Sequence, residues 1–327
     1  MRATALLALA ILLAPVAGLA HHGVASLGVA GLEGPGAPVE TSSSATLPQG
    51  SLLAFLKLDH AVFETYTDAV DGEGASNAFW MYGLGWGIRP WLSAYAVLPY
   101  YAKKVEDNSF NSAGFADMSL MGVIGLKWDA GLHLVPANES LDDLEDWHFT
   151  LYGGLTLPTG DADLEDANGA IDPGMSLGFG TPSTLAGVTA TKQLTGRVTA
   201  VADASWIGFG ENTYADGQKV RFGTELRANL ALTARLLTLP ERRFRLDANL
   251  EGNYLQLGRD EADGVGEDAT GGAILYVLPG LRAYYRGVSL GLGVKLPAWT
   301  DLNEADDQQG AEGKEDYRLV VSFSTLM

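Results

Sequence analysis

The residues richest in chemistry stand at alternate positions. From Val220 to Leu236 the odd positions include Arg221, Glu225, Arg227, Asn229, Thr233 and Arg235. From Phe244 to Tyr254 they are Arg245, Asp247, Asn249, Glu251 and Asn253. Cations and carboxylates spaced two apart on neighbouring strands can pair across a sheet, hold a polar solute or set an ion preference. Asp117, Lys127 and Asp203 join them as candidate lumen-lining residues. The pattern fits a channel lining and a self-satisfied polar plug equally well.

Three further patterns bear on chemistry. His21-His22-Gly23 would sit beside a free amine after export processing, a ligand set suited to copper or nickel. Its other reading is a flexible leader. Asp161-Ala162-Asp163-Leu164-Glu165-Asp166 has the look of a calcium loop, yet an EF-hand needs Gly at its sixth position, where Asp166 stands. The segment therefore reads as a solvated acidic loop with loose divalent binding as the alternative. His60, His133 and His148 have no neighbouring serine placed as a nucleophile requires, and no serine elbow is expected. With no cysteine in the chain, thiolate metal sites and cysteine nucleophiles are excluded. No catalytic residue and no cofactor is expected.

The elements that must position these side chains follow from the same alternation. Opposite the charges on Val220–Leu236 lie Leu226, Leu230, Leu232 and Leu236. Successive side chains of a strand point to opposite faces, so this is a strand between an apolar and a polar medium. Similar apolar faces run through Ala78–Ile88, Leu92–Tyr100, Met118–Trp128, Trp147–Leu157, Val288–Leu296 and Tyr317–Phe323. Weaker candidates are Ser51–Tyr66, Pro182–Leu194, Val198–Phe209 and Gly271–Tyr285. Several exceed the ~5–6 residues of an ordinary soluble strand and reach the ~9–11 that cross a bilayer obliquely. The expected fold is all-β, an antiparallel transmembrane β-barrel of about twelve strands of the outer-membrane type. A soluble β-sandwich is the rival.

Organisation and compartment agree with this. Met1-Arg2, the apolar run Leu6–Leu13 and the small residues Ala17, Gly18 and Ala20 have the layout of a signal peptide over residues 1–20. Residues 21–50 read as a Gly/Ser/Pro-rich leader, unstructured or inserted in the lumen, and 51–327 as the barrel. The net charge of −19, from 40 acidic and 21 basic residues, gives no nucleic-acid footprint. Long acidic connections alternate with tight ones at Arg89-Pro90, Thr195-Gly196, Pro240-Glu241 and Arg286-Gly287. Barrels keep short turns on the periplasmic side and long loops outside. The long acidic stretch Ala130–Asp146 breaks that rule, either as a periplasmic excursion or as a slip in strand parity.

Tyr152-Gly-Gly-Leu-Thr-Leu-Pro-Thr-Gly-Asp161, Pro173-Gly-Met-Ser-Leu-Gly-Phe-Gly180 and Asp117-Met-Ser-Leu-Met-Gly-Val-Ile-Gly-Leu-Lys-Trp128 carry a family likeness. The chain resembles the outer-membrane transporter family associated with the phenol meta-cleavage degradation pathway. That resemblance implies a barrel and a transport role and names no substrate. The expected function is an outer-membrane channel or transporter that passes or binds a small solute through a polar lumen. The alternatives are a non-conducting binding or scaffold protein with acidic outer loops and, third, an outer-membrane enzyme. The expected partners are outer-membrane lipid, lipopolysaccharide and a small solute, with the protein a monomer in the bacterial outer membrane.

Overall fold

The computed structural model describes residues 36–65, 74–137, 145–303 and 314–327. Twelve long strands form one closed antiparallel barrel. They are β1 (Leu52–Phe63), β2 (Gly74–Arg89), β3 (Leu92–Val105), β4 (Met118–Trp128), β5 (Trp147–Leu157) and β6 (Ser183–Thr195), followed by β7 (Val198–Phe209), β8 (Glu225–Leu239), β9 (Phe244–Leu257), β10 (Gly272–Tyr285), β11 (Val288–Leu302) and β12 (Glu315–Leu326). Each pairs with its neighbours in chain order, and β1 pairs with β12 from Leu53↔Leu326 to Phe63↔Glu315. Closure removes every free edge, which lipid would leave without hydrogen-bond partners.

Alternation sorts the two faces. On β8, Leu226, Leu230 and Leu232 point out, while Glu225, Arg227 and Asn229 are buried inside. Leu84, Leu151, Leu250 and Leu292 extend an exposed apolar band around the wall. Leu230 is 68% exposed and Leu84 63%. A continuous belt of this kind is stable against acyl chains and not against water. Tryptophans mark both rims. Trp128 faces Trp147 in the register of β4 and β5 near the turn end, and Trp80, Trp206 and Trp299 lie toward the other end. Indoles favour the headgroup level.

The connections segregate by length. At one end are 90–91, 196–197, 240–243 and 286–287, together with the longer 129–146. At the other are 64–73, 106–117, 158–182, 210–224, 258–271 and 303–314. Strand parity therefore holds through Ala130–Asp146, which is a true excursion on the turn side; Leu132–Leu134 within it adds a short strand to β4. Arg286 and Gly287 both have positive φ, at 51° and 86°. That is the primed hairpin geometry whose twist matches the flanking strands.

One expected strand is shorter than its pattern. Val220–Leu236 is not continuous: the chain leaves the wall at Phe222–Thr224, and Lys219–Arg221 pairs instead with Glu211–Thr213 and Glu261–Ala262. The cause is Gly223. Its N–H donates to Asp260 at 2.6 Å, and its Cα lies so close to Gly258 that a Cβ would fall 2.0 Å from the Gly258 carbonyl oxygen. Val220 and Phe222, expected to face lipid, are buried with Ala162 and Tyr214 in a cap over the outer rim.

Candidate functional site

The inner wall carries a charge cluster at mid-barrel. Arg318 on β12 donates to Asp59 of β1 at 3.1 Å and to both oxygens of Glu315. Lys295 on β11 sits 4.5 Å above the Tyr276 ring. Lys57 lies beside it on β1, two residues from Asp59. On β8, Arg227 pairs with Glu225 at 2.6 Å. Lys57 and Lys295 turn inward because their neighbours at i±1 are apolar: Leu56 and Leu58 flank Lys57, and Val294 and Leu296 flank Lys295.

A neutral polar network continues around the wall. Tyr152 on β5 donates to Asp203 of β7 at 2.7 Å. Asn229 donates to the other oxygen of Asp203 at 2.9 Å, and Asn253 donates to Asn229 at 3.2 Å. Thr233 donates to Asn249 at 2.7 Å. On β5 and β6, Thr150 and Thr189 share a 2.5 Å hydrogen bond.

Residues 36–50 lie within this wall. Gly36 donates its N–H to Asp247 at 3.1 Å. The N–H groups of Val39 and Thr41 and the Thr41 hydroxyl all reach the Glu251 carboxylate at 2.6–2.7 Å. Arg282 holds the Pro38 carbonyl at 2.8 Å. Glu40 forms ion pairs with Lys57 at 2.8 Å and Lys295 at 3.4 Å. The segment then crosses to β6, where Ser44 N–H meets Thr191, and to β3, where Leu47 N–H meets Ser93, each at 2.9 Å. Leu47 is fully buried against Tyr95 and Gly85, where a Cβ would come within 2.9 Å of Leu47. Asp247 and Ser93 lie near the turn end, whereas Glu251, Lys57 and Lys295 lie farther into the barrel. The segment is thus a loop inserted from the turn side with Glu40 near its apex.

Above it, loop 158–182 folds over the outer mouth. Buried Lys103 donates to the carbonyls of Gly174 and Ser176 at 2.6 and 2.7 Å. Ser112 donates to Met175. Asp117, at the foot of β4, accepts from Gly160 and Phe179, both at 2.8 Å. Burial pushes the Asp117 carboxyl above its ordinary pKa, against the lowering effect of these N–H groups. Beneath the loop, Phe79, Tyr101, Leu177, Phe179, Ile207 and Phe209 enclose about 50 Å³. That holds a few waters and no larger solute.

The expected lumen residues divide accordingly. Glu225, Arg227, Asn229, Asp203, Asp247, Asn249 and Glu251 are buried on the inner face, and Arg235 and Arg245 are half-buried there, Arg245 against Asp247 at 2.7 Å. Asp117 belongs to the outer rim. Lys127 lies at the turn end, paired with Asp146 at 3.2 Å. Arg221 is a correction: it sits outside the barrel in the loop sheet, exposed and paired with Glu261, because the chain has already left the wall. His21 and His22 lie outside the described residues. In the acidic loop, Asp166 accepts from Asn168 and Ala170 and Asp163 from Ala215, so these carboxylates shape turns. Among the described residues no three potential ligands cluster for a metal.

The string G-x-S-x-G does occur, at Gly174–Gly178 and Gly287–Gly291. A nucleophile elbow requires a strand-to-helix turn. Ser176 instead donates to the Ala162 carbonyl in a loop, and Ser289 lies within β11 between Arg282 and Ser324. The sequence reading passed over Lys57, Asp59, Arg282, Lys295, Glu315 and Arg318. Lys295 and Arg318 were readable as the inward partners of Val294, Leu296, Tyr317 and Leu319, which stand on assigned outer faces. Glu40 gave no such signal.

A family model described as "Putative MetA-pathway of phenol degradation" matches residues 69–299. The chain belongs to this family. No match to a curated protein was found by sequence. Among solved structures, the COG4313 outer membrane channel from Pseudomonas putida F1 aligns with a TM-score of 0.66 at 14% identity, covering 87% of this chain and 98% of that one. It shares the fold. The NanC porin aligns at 7% identity over 83% of this chain and 98% of that one, with a TM-score of 0.43. The beta domain of the Bordetella autotransporter Brka aligns at 10% identity over 84% and 98%, with a TM-score of 0.42. The closed barrel and its lipid-facing belt place the protein in the bacterial outer membrane.

Proposed function

We propose that the protein is a monomeric outer-membrane channel that passes a small solute to the periplasmic end, past an aromatic vestibule beneath loop 158–182 that holds only water at rest, with residues 36–50 as its constriction. The observation that carries this is the contact chemistry of the inserted loop. From Gly36 to Ser44 it is held mainly by hydrogen bonds and ion pairs, which water can replace on withdrawal, with Val39 packed on Leu278 and Val320. A permanent plug would be better served by apolar packing throughout. Residues 1–20 would direct export and be removed, and the acidic outer loops would meet the lipopolysaccharide layer. The reading is of a conduit and not of a catalyst.

Single-channel recording in planar bilayers tests it. The full chain should carry small, interrupted currents, and a variant lacking residues 36–44 should carry larger, steadier ones. The narrow vestibule and filled lumen favour the second reading, a non-conducting binding protein, and silence from both proteins would establish that reading instead.

A further inference from the structure

The inserted loop brings its own carboxylate into the mid-barrel cluster. On the wall, Arg318 pairs with Asp59 and Glu315, Arg227 pairs with Glu225, and Glu251 accepts from the loop backbone. Glu40, only 6% exposed, is bound by both Lys57 and Lys295. Removing one partner of a buried charged set is strongly destabilising. Withdrawal of the loop takes this carboxylate away from the point where both lysine ammoniums converge near its apex.

We infer that Lys57 and Lys295 form a binding site for the carboxylate of a small organic anion, and that Glu40 is an internal stand-in that the solute displaces. This rests on the channel reading and gives it a substrate class. When the loop withdraws, the two ammoniums keep their positions, because their strands are fixed by the ladders β1–β12 and β11–β12. An arriving carboxylate then takes the place that Glu40 held between the two ammoniums. An uncharged solute of the same shape cannot, so it meets a closed loop.

The chain has no cysteine, so a single one reports cleanly. Ser42 is buried, and its hydroxyl makes no hydrogen bond. In the full-length Ser42→Cys protein, labelling by a charged methanethiosulfonate reagent should be slow. Benzoate should accelerate it several-fold, and benzamide should not. Adding Glu40→Gln should raise the basal rate and abolish the benzoate effect, while Glu40→Asp should behave like the parent. Equal acceleration by benzoate and benzamide, or benzoate acceleration that survives Glu40→Gln, would overturn the proposal. So would a Glu40→Gln protein that labels at the parent rate. Bilayer currents separate the two readings. A benzoate response without current keeps the site and removes the channel, and current without a benzoate response does the reverse.

Discussion

The inner wall has two unlike halves. Between Phe79 and Val97, and through Met121 and Val123, strands β2–β4 present aromatic and aliphatic side chains that pack as a dry core. Strands β8–β12 present Arg227, Asp247, Glu251, Arg282, Lys295 and Arg318, each matched by a partner charge, a backbone N–H or a carbonyl. The inserted loop treats them differently. Its first leg grips the charged half chiefly through backbone and carboxylate hydrogen bonds, with one small apolar contact of Val39 on Leu278 and Val320, and its last leg seats Leu47 in the larger apolar cluster. Apolar burial resists water, whereas polar contacts exchange with it. The comparison teaches that the first leg can let go while the last stays anchored.

The largest effect should come from the charged half. Arg318→Met strands Asp59 and Glu315 without their cation, and urea unfolding in lipid vesicles should show a loss of about 3–5 kcal/mol. A loss near zero would mean that this half is hydrated in the resting state. The same side chain type on the other face of the wall should behave in the opposite way. Leu230→Arg, aimed at lipid, should cost about 2–4 kcal/mol near the midplane. Tolerance there would mean that the outer belt does not meet acyl chains. Smallest is the anchor. Leu47→Ala should cost about 2–3 kcal/mol, the price of burying less apolar surface and leaving a cavity. It should also leave the benzoate response of the Ser42→Cys protein in place. If Leu47→Ala alone speeds labelling as much as Glu40→Gln, both legs move together and the two halves are not distinct.

Period-two alternation made most of the wall legible, because one residue of slip would turn every leucine inward. Val198–Phe209 was read to the residue, and the count of about twelve strands followed from the number of alternating segments. What stayed hidden had physical reasons. Arg221 obeys the alternation of β8, yet Gly223 and Asp260 redirect the chain three-dimensionally, and a two-periodic pattern carries no trace of that. Glu40 lies in a Gly/Ser/Pro-rich stretch with no period, so its burial depends on lysines 17 and 255 positions away. Charge balance across the closed wall is a property of the assembled barrel, and no single strand displays it.

The seam between β1 and β12 has a consequence for how the molecule comes into being. Leu53 meets Leu326, near the two ends of the described chain. Pairings of such long range impose the greatest loop-closure cost and slow folding most. No wall exists until the last strand has been made, so the polypeptide must travel to its membrane open and close only on arrival. The inserted loop leads directly into β1, so the constriction hangs from one side of the seam that β12 closes last.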